Sequence, residues 1–413
     1  MGDEYVQYGQ SAFWAWDEPM WERLRWLRTH DPVHWSEADA LLVLSRFKGV
    51  ALVSKDPGRF CSGHGVLPLA GIKLSLIDED ESRHSELRRL INRGFTPRMV
   101  RKLEAPFELI VDEALRRGEG RGEFDFVREV AVPLALLLIA EMIGIRFEDF
   151  ERFHHGSDSA ILAQGRLHGP DVAARAGQAF AEYAACVAHI IESRPDPPQD
   201  DLISILVHAK DEGLLSEFEQ DGASFTEGYE RPQEEVQLGN DELIMICVLL
   251  MVAGNETTRN ALSGSIQLLI KNPEEPARLV ADPLTTPTAV EELLRLTSPA
   301  ISSVRTATRD TVLRGRPIRE GQRVLMLYPS ANRNPACFAA PDALDLQRKP
   351  QHVAFGLGNH FCLGANLGRM ELHTALREIL PRMPGLRYAA HEPVIAPSSL
   401  VRSFAELSVD YGS

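Results

Sequence analysis

The sequence predicts a mainly helical protein with small β-sheets. Helical periodicity dominates from Ser82 onward, and one helix opening at Asn240 is long enough to cross a whole domain. After Pro299 the pattern changes to short alternating runs, as a small sheet requires.

Taken in order, residues 41–44 read as a strand and 14–27 as an aromatic-rich helix, so the first third is a small α+β region. Helices are expected over 84–92, 99–117 and 127–143, the last nearly all apolar and therefore buried. Residues 218–239 are acidic and glycine-containing, with no apolar face of either period; they read as a flexible exposed loop, expected to serve as a lid or entry rim. Asn240 and Asp241 suit the cap of the long helix, and Glu242 suits its dipole. Asn272-Pro273 end it near residue 271, after on the order of 45 Å at 1.5 Å per residue. Residues 314–317 read as a turn and 323–327 as a strand. The last strong helix follows Cys362, with Leu367, Met370, Leu376 and Ile379 among its apolar positions. No repeat or low-complexity linker divides the chain, so residues 1–413 are expected to form one intertwined domain.

Of the 413 residues, 44% are hydrophobic and 25% charged, which argues against disorder and fibrous repeats. A net charge of -15 opposes a general phosphate-binding surface, so nucleic acid is not an expected partner. The most apolar run, 130–145, is broken by Pro133 and Glu141 and falls short of the roughly 20 residues of a membrane span. No span is expected, and a polar start without a signal-peptide core makes the cytoplasm the expected location. Five cysteines, Cys61, Cys186, Cys247, Cys337 and Cys362, lack C-x-x-C spacing and suggest neither a zinc knuckle nor a disulfide framework.

Cys362 keeps different company. The run Phe355-Gly356-Leu357-Gly358-Asn359-His360-Phe361-Cys362-Leu363-Gly364 sets three glycines around a cysteine just before a helix. Glycine permits positive φ and lets backbone lie flat against a large planar group, and a helix N-terminus favours a thiolate. The pattern F-G-x-G-x-H-x-C-x-G resembles the haem-binding loop of the cytochrome P-450 superfamily, and the resemblance extends from about residue 84 to about 409. It implies a triangular helical prism with one haem b between the long central helix and the helix after Cys362, the Cys362 thiolate being the iron ligand. It also implies a haem-thiolate monooxygenase that inserts one atom of O2 into an apolar small molecule such as a sterol, terpenoid, lipid or secondary metabolite. An anionic sulfur on iron favours cleavage of the oxygen-oxygen bond.

Within the long helix, Ala253-Gly254-Asn255-Glu256-Thr257-Thr258 matches the family's A/G-G-x-D/E-T-T run. A carboxylate and hydroxyl inside an apolar helix are costly without a purpose. By resemblance, Ala253 and Gly254 make room for O2 while Glu256 and Thr257 deliver protons; the bland alternative has Thr257 bonding back to the preceding turn. Glu292-Leu293-Leu294-Arg295 resembles the buried E-x-x-R pair behind the cysteine loop. Ala343 stands where many relatives carry a third partner, leaving Arg348 or His352 as substitutes.

Haem propionates need cationic or hydrogen-bonding partners. The positions that resemble the family's grips are His84, Arg88, Arg305 and His360, with Phe355, Gly356, Gly364 and Ala253 against the macrocycle. The substrate pocket is expected to include Leu249, Val252, Ala300, Ile301, Val304 and Leu400, from lining segments that are almost uncharged, Lys73 excepted. The run Ala253 to Asn260 is similar to that of bacterial members acting on sterol side chains, terpenoids or branched lipids.

About fifty residues follow the ligand, too few for a flavin or iron-sulfur domain, so electrons are expected from a ferredoxin or similar small carrier. Arg89, Arg93, Arg98, Arg101 and Lys102 form a basic cluster suited to docking it. Two rivals are a non-catalytic haem sensor and a peroxide-driven peroxygenase; the intact Glu256-Thr257 pair speaks against both.

Overall fold

The computed structural model describes residues 7–68, 75–118, 122–145, 170–193, 201–211 and 240–410; the expected lid at 218–239 lies outside them. The aromatic helix begins later than expected. Helix α1 is Glu18–His30, because Asp17 takes an extended conformation and its side chain accepts from the Met20 backbone N–H at 3.0 Å. Trp14 instead lies in the preceding segment, its indole N–H bonded to the Tyr8 carbonyl at 3.1 Å.

Strands β1 (Val33–Ser36) and β2 (Leu41–Leu44) form a hairpin. Helix α2 (Phe47–Ser54) follows, then β3 (Phe60–Cys61). The helical body opens with α3 (Arg83–Ile91) and α4 (Pro97–Gly118). After the short strand β4 (Glu123–Asp125), the expected helix at 127–143 divides: Val127–Ala131 forms a π-turn, and α5 (Val132–Ile143) runs on to a left-handed Gly144. Helices α6 (Pro170–Glu192) and α7 (Leu202–Asp211) precede the long α8 (Asn240–Ile270). Helices α9 (Glu275–Ala281) and α10 (Thr286–Thr297) complete this part of the body.

Strands β5 (Ser302–Ala307) and β8 (Arg323–Leu327) enter a sheet with the N-terminal strands, while β6 (Thr311–Leu313) and β7 (Arg316–Ile318) pair as a separate hairpin, so the turn expected over 314–317 is confined to its first two residues. The β6–β7 turn has positive φ at Arg314 and Gly315. Five strands order as β1-β2-β8-β5-β3, with β2 and β8 parallel. The final helix α11 (Ala365–Arg382) is followed by β9 (Arg387–Tyr388), β10 (Val394–Ala396), β11 (Ser403–Glu406) and β12 (Ser408–Asp410).

The main core joins α3, α4, α5, α8, α10 and α11, so the apolar α8 and α5 are buried by neighbours on several sides. A second core lies on one face of the five-stranded sheet, around Leu42, Val324 and Met326. A third packs the other face, Ile301, Val304 and Leu325, against α1 and Trp14. Among the described residues, no helix is long and apolar enough to cross a membrane.

Candidate active site

Behind the cysteine loop, Glu292 and Arg295 on α10 are fully buried and joined by two hydrogen bonds of 2.7 Å. Arg295 spends its remaining donors on the carbonyls of Asn332, Pro341 and Ala343. Glu292 also accepts from Arg348 Nε at 3.1 Å and from the Asp345 backbone at 3.2 Å. Arg348 is therefore the third partner. The other substitute, His352, pairs with Glu291 at 3.2 Å, and Arg369 of α11 reaches the same carboxylate at 2.6 Å. Burial pushes Glu291 up, but the hydrogen bonds from His352 and Arg369 outweigh it and hold the carboxyl at about 2. Asn332 Oδ1 accepts from the Val353 N–H at 2.8 Å, so this scaffold leads directly into the loop.

The loop closes on itself by bonds from Cys362 N to the Phe355 carbonyl at 2.9 Å and from Phe361 N to Gly358 at 3.0 Å. Gly356 and Gly358 have positive φ. At Gly358 there is a second need for glycine, which the sequence reading did not find: a Cβ would lie 2.1 Å from the Ser54 carbonyl of α2. Cys362 follows at the approach to α11, and its surface opens into a cavity of about 400 Å³. Surrounding protein pushes its thiol pKa up; the Gly364 backbone N–H and the charges of Arg88 and Arg369 act the other way.

One wall of this cavity gathers all four expected grips, His84, Arg88, Arg305 and His360. The two imidazoles stack at 3.9 Å between ring centroids. Arg305 Nη1 bonds Ser303 Oγ at 2.9 Å and the Val304 carbonyl at 2.8 Å, while Arg88 donates to the Phe361 carbonyl. His360 Nε2 lies 3.1 Å from Ser62 Oγ. Burial, then the charges of Arg305, His84 and Arg88, depress the His360 pKa to about 2, and burial also lowers those of His84, Arg88 and Arg305. Buried His84 Nδ1 has no aligned hydrogen-bond partner among the described residues. Two arginines and two neutral imidazoles so placed fit the dianionic edge of a haem by charge and by hydrogen bonding, with the open sulfur of Cys362 in the same cavity. Phe355, Gly356, Gly364 and Ala253 line it too.

On α8, Glu256 and Thr257 also line the cavity. Glu256 is 4% exposed; Arg259 Nη2 lies against its Oε1, and Asn260 Nδ2 donates to its Oε2 at 3.2 Å. Arg259 was missed by the sequence reading, although its i+3 spacing from Glu256 is the signal for such a pair. Thr257 Oγ1 donates to the Ala253 carbonyl at 2.7 Å. This is the back-bond named as the bland alternative, and it leaves the oxygen able to accept from a donor in the cavity. Thr258 turns to the fully enclosed Glu371 of α11 at 3.0 Å; burial, partly offset by that bond, pushes the Glu371 carboxyl up to about 8.

The remaining wall is apolar. Leu249, Val252, Ala300 and Leu400 line it as expected, with Val66, Leu76, Ile77 and Val401. Ile301 and Val304 do not: both are fully buried in the core against α1. Strand alternation accounts for Val304, since Ser303 and Arg305 take the cavity side of β5; Ile301 stands just before that strand, its N–H bonded to the Leu400 carbonyl.

Residues 174–383 match the family model described as Cytochrome P450. A steroid C26-monooxygenase of Mycobacterium tuberculosis is 33% identical over 388 residues, covering 93% of this chain and 92% of the relative. The fold is similar to that of Mycobacterium marinum cytochrome P450 CYP268A2 in complex with pseudoionone, with TM-score 0.84, 31% identity and 99% of each chain covered. It is also similar to CYP109E1 of Bacillus megaterium in complex with testosterone, with TM-score 0.80 and 29% identity over 95% of this chain and 99% of that one.

Proposed function

This chain belongs to the cytochrome P450 superfamily and is a monooxygenase, and we propose that it inserts one atom of O2 into an apolar small molecule with electrons from a ferredoxin. A sterol or terpenoid is the substrate class we favour. The observation that carries this reading is a single cavity in which Cys362, the Glu256–Thr257 pair and an apolar wall meet. A relative named for steroid oxidation, and neighbours of similar fold solved with testosterone and pseudoionone, support the class.

Bound haem b, with Cys362 as its iron ligand, would supply the activation of O2. The chain's own residues have definable tasks. Arg88 and Arg305 would neutralise the propionates, His84 and His360 would orient them by hydrogen bonds, and the E-x-x-R scaffold holds the loop that presents Cys362. Glu256 carries protons toward the cavity, and Thr257, with its own proton engaged on Ala253, holds a hydrogen-bond donor there. Leu249, Val252, Ala300 and Leu400 exclude water and bind the substrate by area. We read residues 1–413 as one catalytic unit acting in the cytoplasm.

The test compares product formation from testosterone and pseudoionone when the haem-loaded protein is fed electrons by a surrogate ferredoxin or is fed hydrogen peroxide. Electron-fed hydroxylation that exceeds the peroxide-fed rate supports the reading. Peroxide-fed turnover alone makes it a peroxygenase, and binding with no turnover in either arm makes it a sensor.

A further inference from the structure

Asn260 is fully buried, one turn beyond Glu256 on α8, and its amide is occupied on both sides. Nδ2 donates to the Glu256 carbonyl at 2.8 Å and to Glu256 Oε2 at 3.2 Å. Oδ1 accepts from the Phe404 backbone N–H of β11 at 2.9 Å. The orientation is forced, because a backbone N–H can only donate and a carbonyl can only accept. This side chain therefore clamps one oxygen of Glu256 to strand β11.

That strand continues from a cavity wall. Leu400 and Val401 line the cavity a few residues before Phe404. The Leu400 carbonyl accepts from Ile301 N at 2.8 Å, and Arg402 N donates to Pro299 at 2.8 Å, so the segment is stapled to the start of β5. Arg402 Nη2 also reaches Gln267 Oε1 on α8 at 2.5 Å, a second tie two turns beyond Asn260. A displacement of Leu400 or Val401 by a bound molecule has a short, buried path to the carboxylate of Glu256.

We propose that Asn260 is the positioning residue that couples occupancy of the apolar wall at Leu400 and Val401 to the placement of the Glu256 carboxylate. It touches no reacting atom; it acts through Glu256. The inference rests on Glu256 being the proton-carrying acid of the proposed function. Without the amide, Glu256 keeps Arg259 on Oε1 but loses the Asn260 hydrogen bond to Oε2. Its placement then no longer depends on what fills the pocket.

The test uses haem-loaded wild type, Asn260→Ala and Asn260→Asp, with Glu256→Gln as reference. Asn260→Asp is isosteric and keeps an acceptor for Phe404 while losing both donors, so it serves if Asn260→Ala fails to fold. The first readout is the infrared carboxylate band of Glu256, isolated by difference against Glu256→Gln, with and without testosterone as probe. The second is hydrogen peroxide released per NADPH oxidised, with a surrogate ferredoxin and its reductase. The expected result is a shifted Glu256 band in both Asn260 variants and a severalfold rise in peroxide release, toward the level of Glu256→Gln. A folded Asn260→Asp with the wild-type band and wild-type peroxide release, while Glu256→Gln leaks, overturns the inference alone. Should Glu256→Gln itself leave peroxide release unchanged, the role of the acid is what fails, and the band then decides whether Asn260 holds Glu256.

Discussion

A thiol whose pKa the surrounding protein pushes up becomes a ligand only because a metal cation competes with its proton, and that competition is specific to sulfur at Cys362. Cys362→Ser is expected to abolish the red-shifted carbon monoxide absorption of thiolate ligation while leaving far-ultraviolet dichroism unchanged. Persistence of that absorption would refute the ligand assignment. The scaffold pair behind it makes a graded prediction. Removing one partner of a buried pair strands the other charge, at a cost of roughly 3–5 kcal/mol. Glu292→Gln should cost about that much in urea unfolding, since Arg295 has no exposed surface on which to rehydrate. Arg348→Met should cost only about 1 kcal/mol, because the two Arg295 bonds to Glu292 remain. Equal losses would mean that Arg348 carries the pair and Arg295 merely follows.

Elements that announce themselves in the sequence are those whose cause is local. The strands at 41–44 and 323–327 and the helix from Asn240 come out within a residue of expectation, because apolar run length and turn residues define them. The start of α1 was legible as Asp17 followed by Pro19, but the aromatic run drew attention away from it. Non-local contacts were not legible: nothing in the run around Gly358 reveals that α2 passes against it. Gly358→Ala combines a strained φ with a clash on a backbone carbonyl that cannot rotate aside, so it should cost about 2 kcal/mol or more and lower haem retention. A wild-type melting temperature for this variant would show that α2 can yield. The motif residues Cys362 and Glu256 line one cavity, whereas strand phase turns Val304 into the core and Ile301, just before β5, is buried there too. Glu291 ties α10 to α11 and to the approach of the cysteine loop, and it gives the packing a pH dependence. Its folded pKa of about 2 lies below the ordinary 4.5, so its contribution is complete above pH 4.5 and is lost as pH falls toward 2. One unit is 1.36 kcal/mol, which sets a ceiling of roughly 3 kcal/mol before solvent screening. The wild-type minus Glu291→Gln stability difference should shrink across that interval, and a flat difference would show the depression to be absent.

For the molecule as a whole, the net charge of -15 poses a problem for any acidic electron carrier, since the far field repels it. Docking must be local. Arg89, Arg93, Arg98, Arg101 and Lys102 are all exposed, and they run from the end of α3 into the first turns of α4. At about 0.1 M salt the Debye length is about 10 Å, so a carrier arriving on this patch feels the nearby cations and little of the distant acidic surface. Reversing two charges with Arg101→Glu and Lys102→Glu turns attraction into repulsion within that range. The rate of reduction by an acidic ferredoxin should fall by about tenfold or more at low ionic strength, within the span attributed to electrostatic steering. The gap between variant and wild type should then narrow as salt rises, because screening removes the term that was reversed. A gap that stayed constant with salt would point to lost contact geometry instead. Equal reduction rates at low salt would move the docking surface elsewhere on the molecule.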